Sequence, residues 1–83
     1  MKVTVRYFAA LREALGAEES VQVASGSTLG ALRNQLLVAS PRHADALRRG
    51  RALRCALNQV LADESAVLED GAEVAFFPPV TGG

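Results

Sequence analysis

The sequence predicts an α+β fold in which a mixed sheet packs against one main helix. Three features carry this expectation. Apolar residues alternate in the opening "MKVTVRYF", again in "ESVQVA" and a third time in "AEVAFF", which is the period of strands with one buried face. In "LGALRNQLLVA" the leucines Leu29, Leu32 and Leu36 fall instead at helical spacing on one side. No repeat, linker or low-complexity tract interrupts the 83 residues, so one domain is expected.

Val3, Val5 and Tyr7 of the first strand point to one face, and Lys2, Thr4, Arg6 and Phe8 to the other. "AALREAL" reads as a short helical turn stopped by Gly16. Val21 and Val23 carry a second strand able to pair back on the first. Ser27 or Thr28 is the expected N-cap of the main helix, and Ser40-Pro41 its end. "RHADALRR" reads as a second, short helix closed by Gly50. "RALRCALNQVLA" supplies a third strand, and a fourth after an Asn58-Gln59 turn. Asp70-Gly71 turns the chain into the last strand, where Val74 and Phe76 share one face and Ala75 and Phe77 the other. Pro78 and Pro79 end that strand because neither has an N–H to donate. Strand, strand, helix, strand, strand is the order of the ubiquitin-like β-grasp. That domain is expected over residues 1–77, followed by a flexible tail over residues 78–83.

Composition narrows the function. Nine basic and nine acidic residues cancel, whereas a duplex or an anionic membrane rewards a basic surplus. No apolar run approaches the roughly 20 residues of a membrane span, and no signal-peptide pattern opens the chain. Cys55 is the only cysteine, so an intrachain disulfide is impossible and a reducing, cytoplasmic setting is expected. In "ALRCALNQVLA" this cysteine reads as a small buried hydrophobe. His43, a single histidine without cysteine neighbours, makes no metal site and is expected at the surface. Arg48, Arg49, Arg51 and Arg54, and the acidic residues from Asp63 to Glu73, read mainly as solvated loop surface.

The most informative stretch is the ending, "FFPPVTGG". Six residues from Pro78 to Gly83, extended, reach roughly 20 Å. Two prolines favour a stiff polyproline II start that projects the tail outward. Gly82 and Gly83 present backbone alone, able to thread a narrow channel and adopt dihedrals closed to other residues. A terminal Gly-Gly taken alone is equally the composition of a frayed end. Directly after a β-grasp order it points to a carboxylate offered to another protein's active site. At the root of this tail, Phe8 and Phe77 lie on the outward faces of their strands, and Leu61, just past the Asn58-Gln59 turn, joins them. The three form an expected apolar partner patch, unless a wider core takes in one phenylalanine.

With these residues in view, the sequence resembles the small subunits of molybdopterin synthase, ubiquitin-like sulfur carriers of molybdenum-cofactor biosynthesis. "VRYFAALREALG" is similar to that family's first strand and turn, "ALNQVLA" to its third-strand region, and "DGAEVAFFPPVTGG" to its terminal signature. The resemblance runs end to end and is least distinctive from Val38 to Arg51. It implies that a ubiquitin-activating-like adenylyltransferase uses ATP to adenylate the carboxylate of Gly83. A sulfur donor then converts the acyl-adenylate to a thiocarboxylate. The large synthase subunit, in a heterotetramer of two large and two small subunits, would hold Gly82 and Gly83 beside cyclic pyranopterin monophosphate. Pro78, Pro79, Val80 and Thr81 would be gripped on the way in, and Phe8, Leu61 and Phe77 would make the hydrophobic contact with both enzymes. The resemblance implies no bound cofactor and no catalytic side chain on this chain, which is a sulfur-donating subunit. Rival readings keep the tail chemistry: sulfur transfer of thiamine or cysteine type, or a protein modifier joined to lysines. A fourth reading is an interaction domain with an idle tail.

Overall fold

A computed structural model describes residues 1–79. The chain runs β1 (Lys2–Tyr7), α1 (Ala10–Leu15), β2 (Glu18–Gln22), α2 (Leu29–Leu37), α3 (Pro41–Ala46), β3 (Arg54–Leu57), β4 (Val60–Ala62) and β5 (Glu73–Phe77). The five strands form one sheet in the order β2-β1-β5-β3-β4. β1 and β5 run parallel at its centre, with Val5 opposite Val74 and Tyr7 opposite Phe76. The other neighbouring pairs are antiparallel. The sheet is therefore mixed, as expected, and the Asn58-Gln59 turn does separate two strands.

One face of the sheet is the core. Val3, Val5, Tyr7, Val74 and Phe76 are buried there with Leu29, Leu32 and Leu36 of α2, and with Leu11 and Leu47. Leucines at positions 29, 32 and 36 recur at helical spacing, so all three reach the sheet together. Thr28 is the N-cap of α2, its Oγ1 accepting the Ala31 N–H at 3.1 Å. Gly16, at φ 92°, follows α1 and donates its N–H to the Arg12 carbonyl. Among the described residues, the other face of the sheet carries no helix.

Three boundaries differ from the sequence expectation. β2 stops at Gln22, and Val23 is buried beyond it with its N–H on the Met1 carbonyl at 2.8 Å. α2 stops at Leu37 with Val38 as its C-cap, three residues before Pro41. Ser40 and Pro41 begin the next helix instead: Ser40 Oγ accepts the His43 N–H, and the proline occupies the first turn, where a missing N–H costs nothing. α3 ends at Ala46, not at Gly50, with Leu47 as its C-cap donating its N–H to the His43 carbonyl at 2.9 Å. Just beyond, the carbonyls of Leu47 and Arg48 accept hydrogen bonds from the Arg33 guanidinium, both at 2.8 Å. Arg33 is 4% exposed. A cation so placed must be fully hydrogen-bonded, which fixes the path of the loop.

Candidate functional site

On the helix-free face the sequence alternation turns Phe8, Ala75 and Phe77 outward. Small side chains at Ala56 and Ala75, paired across β3 and β5, leave a shallow floor. Phe8, Leu61, Phe77, Pro78 and Pro79 rise around it and enclose an open groove of about 770 Å³. Leu61 is 66% exposed and Phe8 38%. Phe77, Pro78 and Pro79 are half-buried. Phe77 is therefore less exposed than alternation alone suggests, because it packs within the groove wall, yet it stays out of the core.

Local geometry sets the two walls. After Tyr7 the chain reverses at Ala9, whose φ of 54° and ψ of −132° are unusual for a residue with a Cβ. This reversal leaves Phe8 at the rim. On the far side the β3–β4 hairpin turns through Asn58 and Gln59, both left-handed at φ 50° and 69°. A two-residue turn with positive φ at both positions matches strand twist and sets Leu61 opposite Ala56.

The rim is polar. Arg6 lies 3.6 Å from the Glu73 carboxylate, and its guanidinium carbon stands 5.4 Å from the centroid of the Phe8 ring. The Asn58 side chain accepts the Glu73 N–H at 3.0 Å, while the Asn58 N–H donates to the Glu73 carbonyl at 2.8 Å. No acid–base pair or nucleophile converges on the groove floor, and among the described residues no group of metal-ligating side chains gathers anywhere. Such a surface can hold apolar side chains of a partner.

The structure thus brings together five of the nine expected site residues: Phe8, Leu61, Phe77, Pro78 and Pro79. Val80, Thr81, Gly82 and Gly83, with the expected threading tail, lie outside the described residues. Sequence reasoning missed Arg6, Gln59 and Glu73 as rim residues, and Asn58 as the residue bonded to Glu73 beside them. Arg6 shares the outward face of β1 with Phe8, so the signal was present; the contacts of Asn58 and Glu73 required the β3–β5 register.

Away from the groove, two polar clusters tie the helices down. Arg33 also reaches Glu64 at 3.0 Å, and Arg49 pairs with the same carboxylate and with Asn34 Oδ1 at 2.6 Å. The Arg49 hydrogen bond, more than Arg33, holds the Glu64 carboxyl below the usual carboxylate range. The expectation of plain solvated arginines is corrected for Arg49. His43 is likewise not a free surface residue: its ring bridges Ser40 Oγ at 2.7 Å and Glu19 Oε2 at 2.8 Å. The same Glu19 oxygen accepts the Tyr7 hydroxyl at 2.7 Å. Burial above all, then the Glu19 hydrogen bond and charge, push the Tyr7 hydroxyl well above its ordinary pKa. Cys55 is buried as expected, and burial, followed by the Glu64 charge, raises its pKa against the opposing arginines. It is a packing residue, not a nucleophile.

A mixed five-stranded sheet gripping α2, with an apolar groove where the last strand ends, defines a ubiquitin-like β-grasp domain. Among solved structures, the small archaeal modifier protein 1 of Haloferax volcanii superposes with a TM-score of 0.77 at 25% identity, over 95% of this chain and 98% of that one. Subunits 1 and 2 of the molybdopterin-converting factor of Helicobacter pylori, solved as a protein–protein complex, include a chain that superposes with a TM-score of 0.71 at 28% identity, over all of both chains. The chain belongs to the ThiS family, whose model matches residues 5–83. Its relatives include the molybdopterin synthase sulfur carrier subunits of Escherichia coli K12 and of Mycobacterium tuberculosis. The first is 44% identical over 98% of this chain and 99% of that one, and the second 45% identical over 100% and 99%.

Proposed function

We propose that this chain is the sulfur carrier subunit of a molybdopterin synthase and works in the cytoplasm. In this reading a partner adenylyltransferase binds the groove and joins the Gly83 carboxylate to ATP, releasing pyrophosphate. A donor then delivers sulfide-level sulfur, with its own bond to that sulfur broken, to the acyl carbon; AMP leaves, and a thiocarboxylate remains. The large subunit takes the same groove, in an assembly of two large and two small subunits. There the tail, through Gly82 and Gly83, gives its sulfur to cyclic pyranopterin monophosphate to form molybdopterin. ATP is a co-substrate of the activating partner, and the carrier binds no cofactor.

The observation that carries the reading is the groove itself. Phe8, Leu61 and Phe77 meet at the root of the tail, with Pro78 and Pro79 in the wall, so a partner docked there is placed where the tail departs. End-to-end likeness to the named sulfur carriers supports it, as does the likeness to a subunit solved in complex with its second subunit. The chemistry needs no side chain from the carrier. Adenylation supplies a leaving group, and sulfur supplies a softer nucleophile than the carboxylate.

Intact-mass measurement after incubation with the activating enzyme, ATP and a sulfur donor tests the reading. One oxygen-to-sulfur exchange is expected, lost on deleting Gly83; retained sulfur transfer by the truncated chain overturns it. The likeness to an archaeal modifier protein favours one second reading, transfer of the same activated carboxyl to amines of other proteins. That reading shows in the same experiment as mass ladders on other proteins.

A further inference from the structure

The two walls of the groove belong to elements far apart in sequence, and where the sheet ladder between them ends one side chain adds a further tie. Asn58 occupies both backbone hydrogen-bonding groups of Glu73: its Oδ1 takes the N–H at 3.0 Å and its own N–H takes the carbonyl at 2.8 Å. β3 pairs with β5 only as far as Leu57 opposite Val74. Beyond that point the Asn58 N–H adds one more backbone bond, and its side chain takes the place of the backbone carbonyl that would accept the second. Glu73 in turn carries the Arg6 guanidinium, which covers Phe8. Asn58, Glu73 and Arg6 thus run from the hairpin bearing Leu61 to the end of β1 bearing Phe8.

We propose that Asn58 is a positioning residue for partner binding, a brace that presets the spacing of Leu61 and Phe8 before a partner arrives. The inference rests on the docking role proposed for the groove. Two demands meet at this position. The turn needs φ of 50°, which asparagine tolerates better than most residues with a Cβ. The bond to Glu73 needs a short side-chain acceptor, which glycine lacks. A preset groove loses less side-chain and loop freedom on binding, so affinity depends on a residue that need not touch the partner.

The test uses the full chain and the large synthase subunit of the same organism, with calorimetric dissociation constants measured well below the melting temperature of every variant. Asn58→Gly keeps the turn and removes the acceptor; it should weaken binding about tenfold, whereas Asn58→Asp, which restores an acceptor oxygen, should stay within about threefold of wild type. In a Leu61→Ala background the glycine variant should cost less than about twofold more, because the wall it positions is already gone. A role in stability alone predicts equal losses in both backgrounds. Equal losses, or none, overturn the proposal. Amide exchange judges the brace without any partner: Glu73 N–H should exchange about tenfold faster in Asn58→Gly while Val5 N–H keeps its protection. Unchanged exchange at Glu73 also overturns it. If the wild-type chain does not bind the large subunit, the docking role falls, and the exchange result still decides whether Asn58 holds the walls.

Discussion

Phe76 and Phe77 are neighbours on one strand, chemically identical, and face opposite ways. Phe76 is fully buried, its ring 6.4 Å from that of Tyr7 and nearly parallel to it. Phe77 is half-buried, in the wall of an open groove beside Phe8 and two prolines. On the inner face Val3, Val5, Tyr7, Val74 and Phe76 are all packed, and no buried side-chain nitrogen or oxygen lacks a partner among the described residues. On the outer face, apolar surface stays in water. Keeping Leu61 and Phe8 partly exposed forgoes a share of the roughly 1.5–3 kcal/mol that full burial of each side chain is worth. The pair teaches that one face of this sheet serves the fold, and the other is left incomplete for something else to cover.

Substitutions on each face can break that contrast. The largest effect is expected for Phe76→Ala, which should lower stability by about 3–5 kcal/mol through loss of burial and the cavity left behind. Chemical denaturation measures it, and a loss under about 1 kcal/mol would dissolve the distinction between the faces. Phe77→Ala should cost only about 1 kcal/mol of stability, since the ring lies in the wall of an open groove and not in the core. On the proposed docking role it should cost about 2 kcal/mol or more in large-subunit affinity, well over tenfold. A variant that melts like a core mutant and binds normally would place Phe77 with the fold.

Ala9→Gly sharpens the contrast from the backbone. Relief of the positive φ competes with the greater freedom of glycine in the unfolded chain, and a net gain of about 1 kcal/mol is expected. Melting curves decide it. The smallest effect is electrostatic. Glu64 is held below the ordinary carboxylate pKa, chiefly by Arg49. Its contribution to stability is therefore complete above the unfolded value of about 4.3 and fades as pH falls through the lower folded value. The carboxylate is partly exposed, so solvent screening keeps the effect modest. Glu64→Gln should flatten the acid limb of the stability curve and leave large-subunit binding unchanged at neutral pH. An acid limb identical to wild type would remove Glu64 from that account.

What the sequence disclosed follows the range of each interaction. Alternation in β1 and β5 and the leucine spacing of α2 are local patterns, so the buried face, the main helix and the outward Phe8 and Phe77 were all legible. Arg33 looked like any helical arginine, because its acceptors lie 14 and 15 residues away and its carboxylate 31. The end of α3 was misplaced for the same reason: Gly50 is a local stop signal, but the chain leaves the helix at Leu47, and the next carbonyls meet the distant Arg33. His43 seemed a surface residue until β2 brought Glu19 to it. At the groove, the apolar members were readable one strand at a time. The link from Asn58 to Glu73 depends on which strand lies beside which, and composition does not hold that information.

The place of β5 has a consequence for how the molecule is made. It is the middle strand of five, yet it lies after every other strand in the sequence. Until residues 73–77 leave the ribosome, β1–β2 and β3–β4 are two separate hairpins with nothing between them, and isolated hairpins are marginal in water. The parallel pairing of β1 with β5 closes a span of about 70 residues, the kind of distant contact that slows folding. Translation must therefore run almost through Phe77 before a sheet can exist. Birth of the groove and completion of the fold become a single event, the moment β5 slots between the two hairpins.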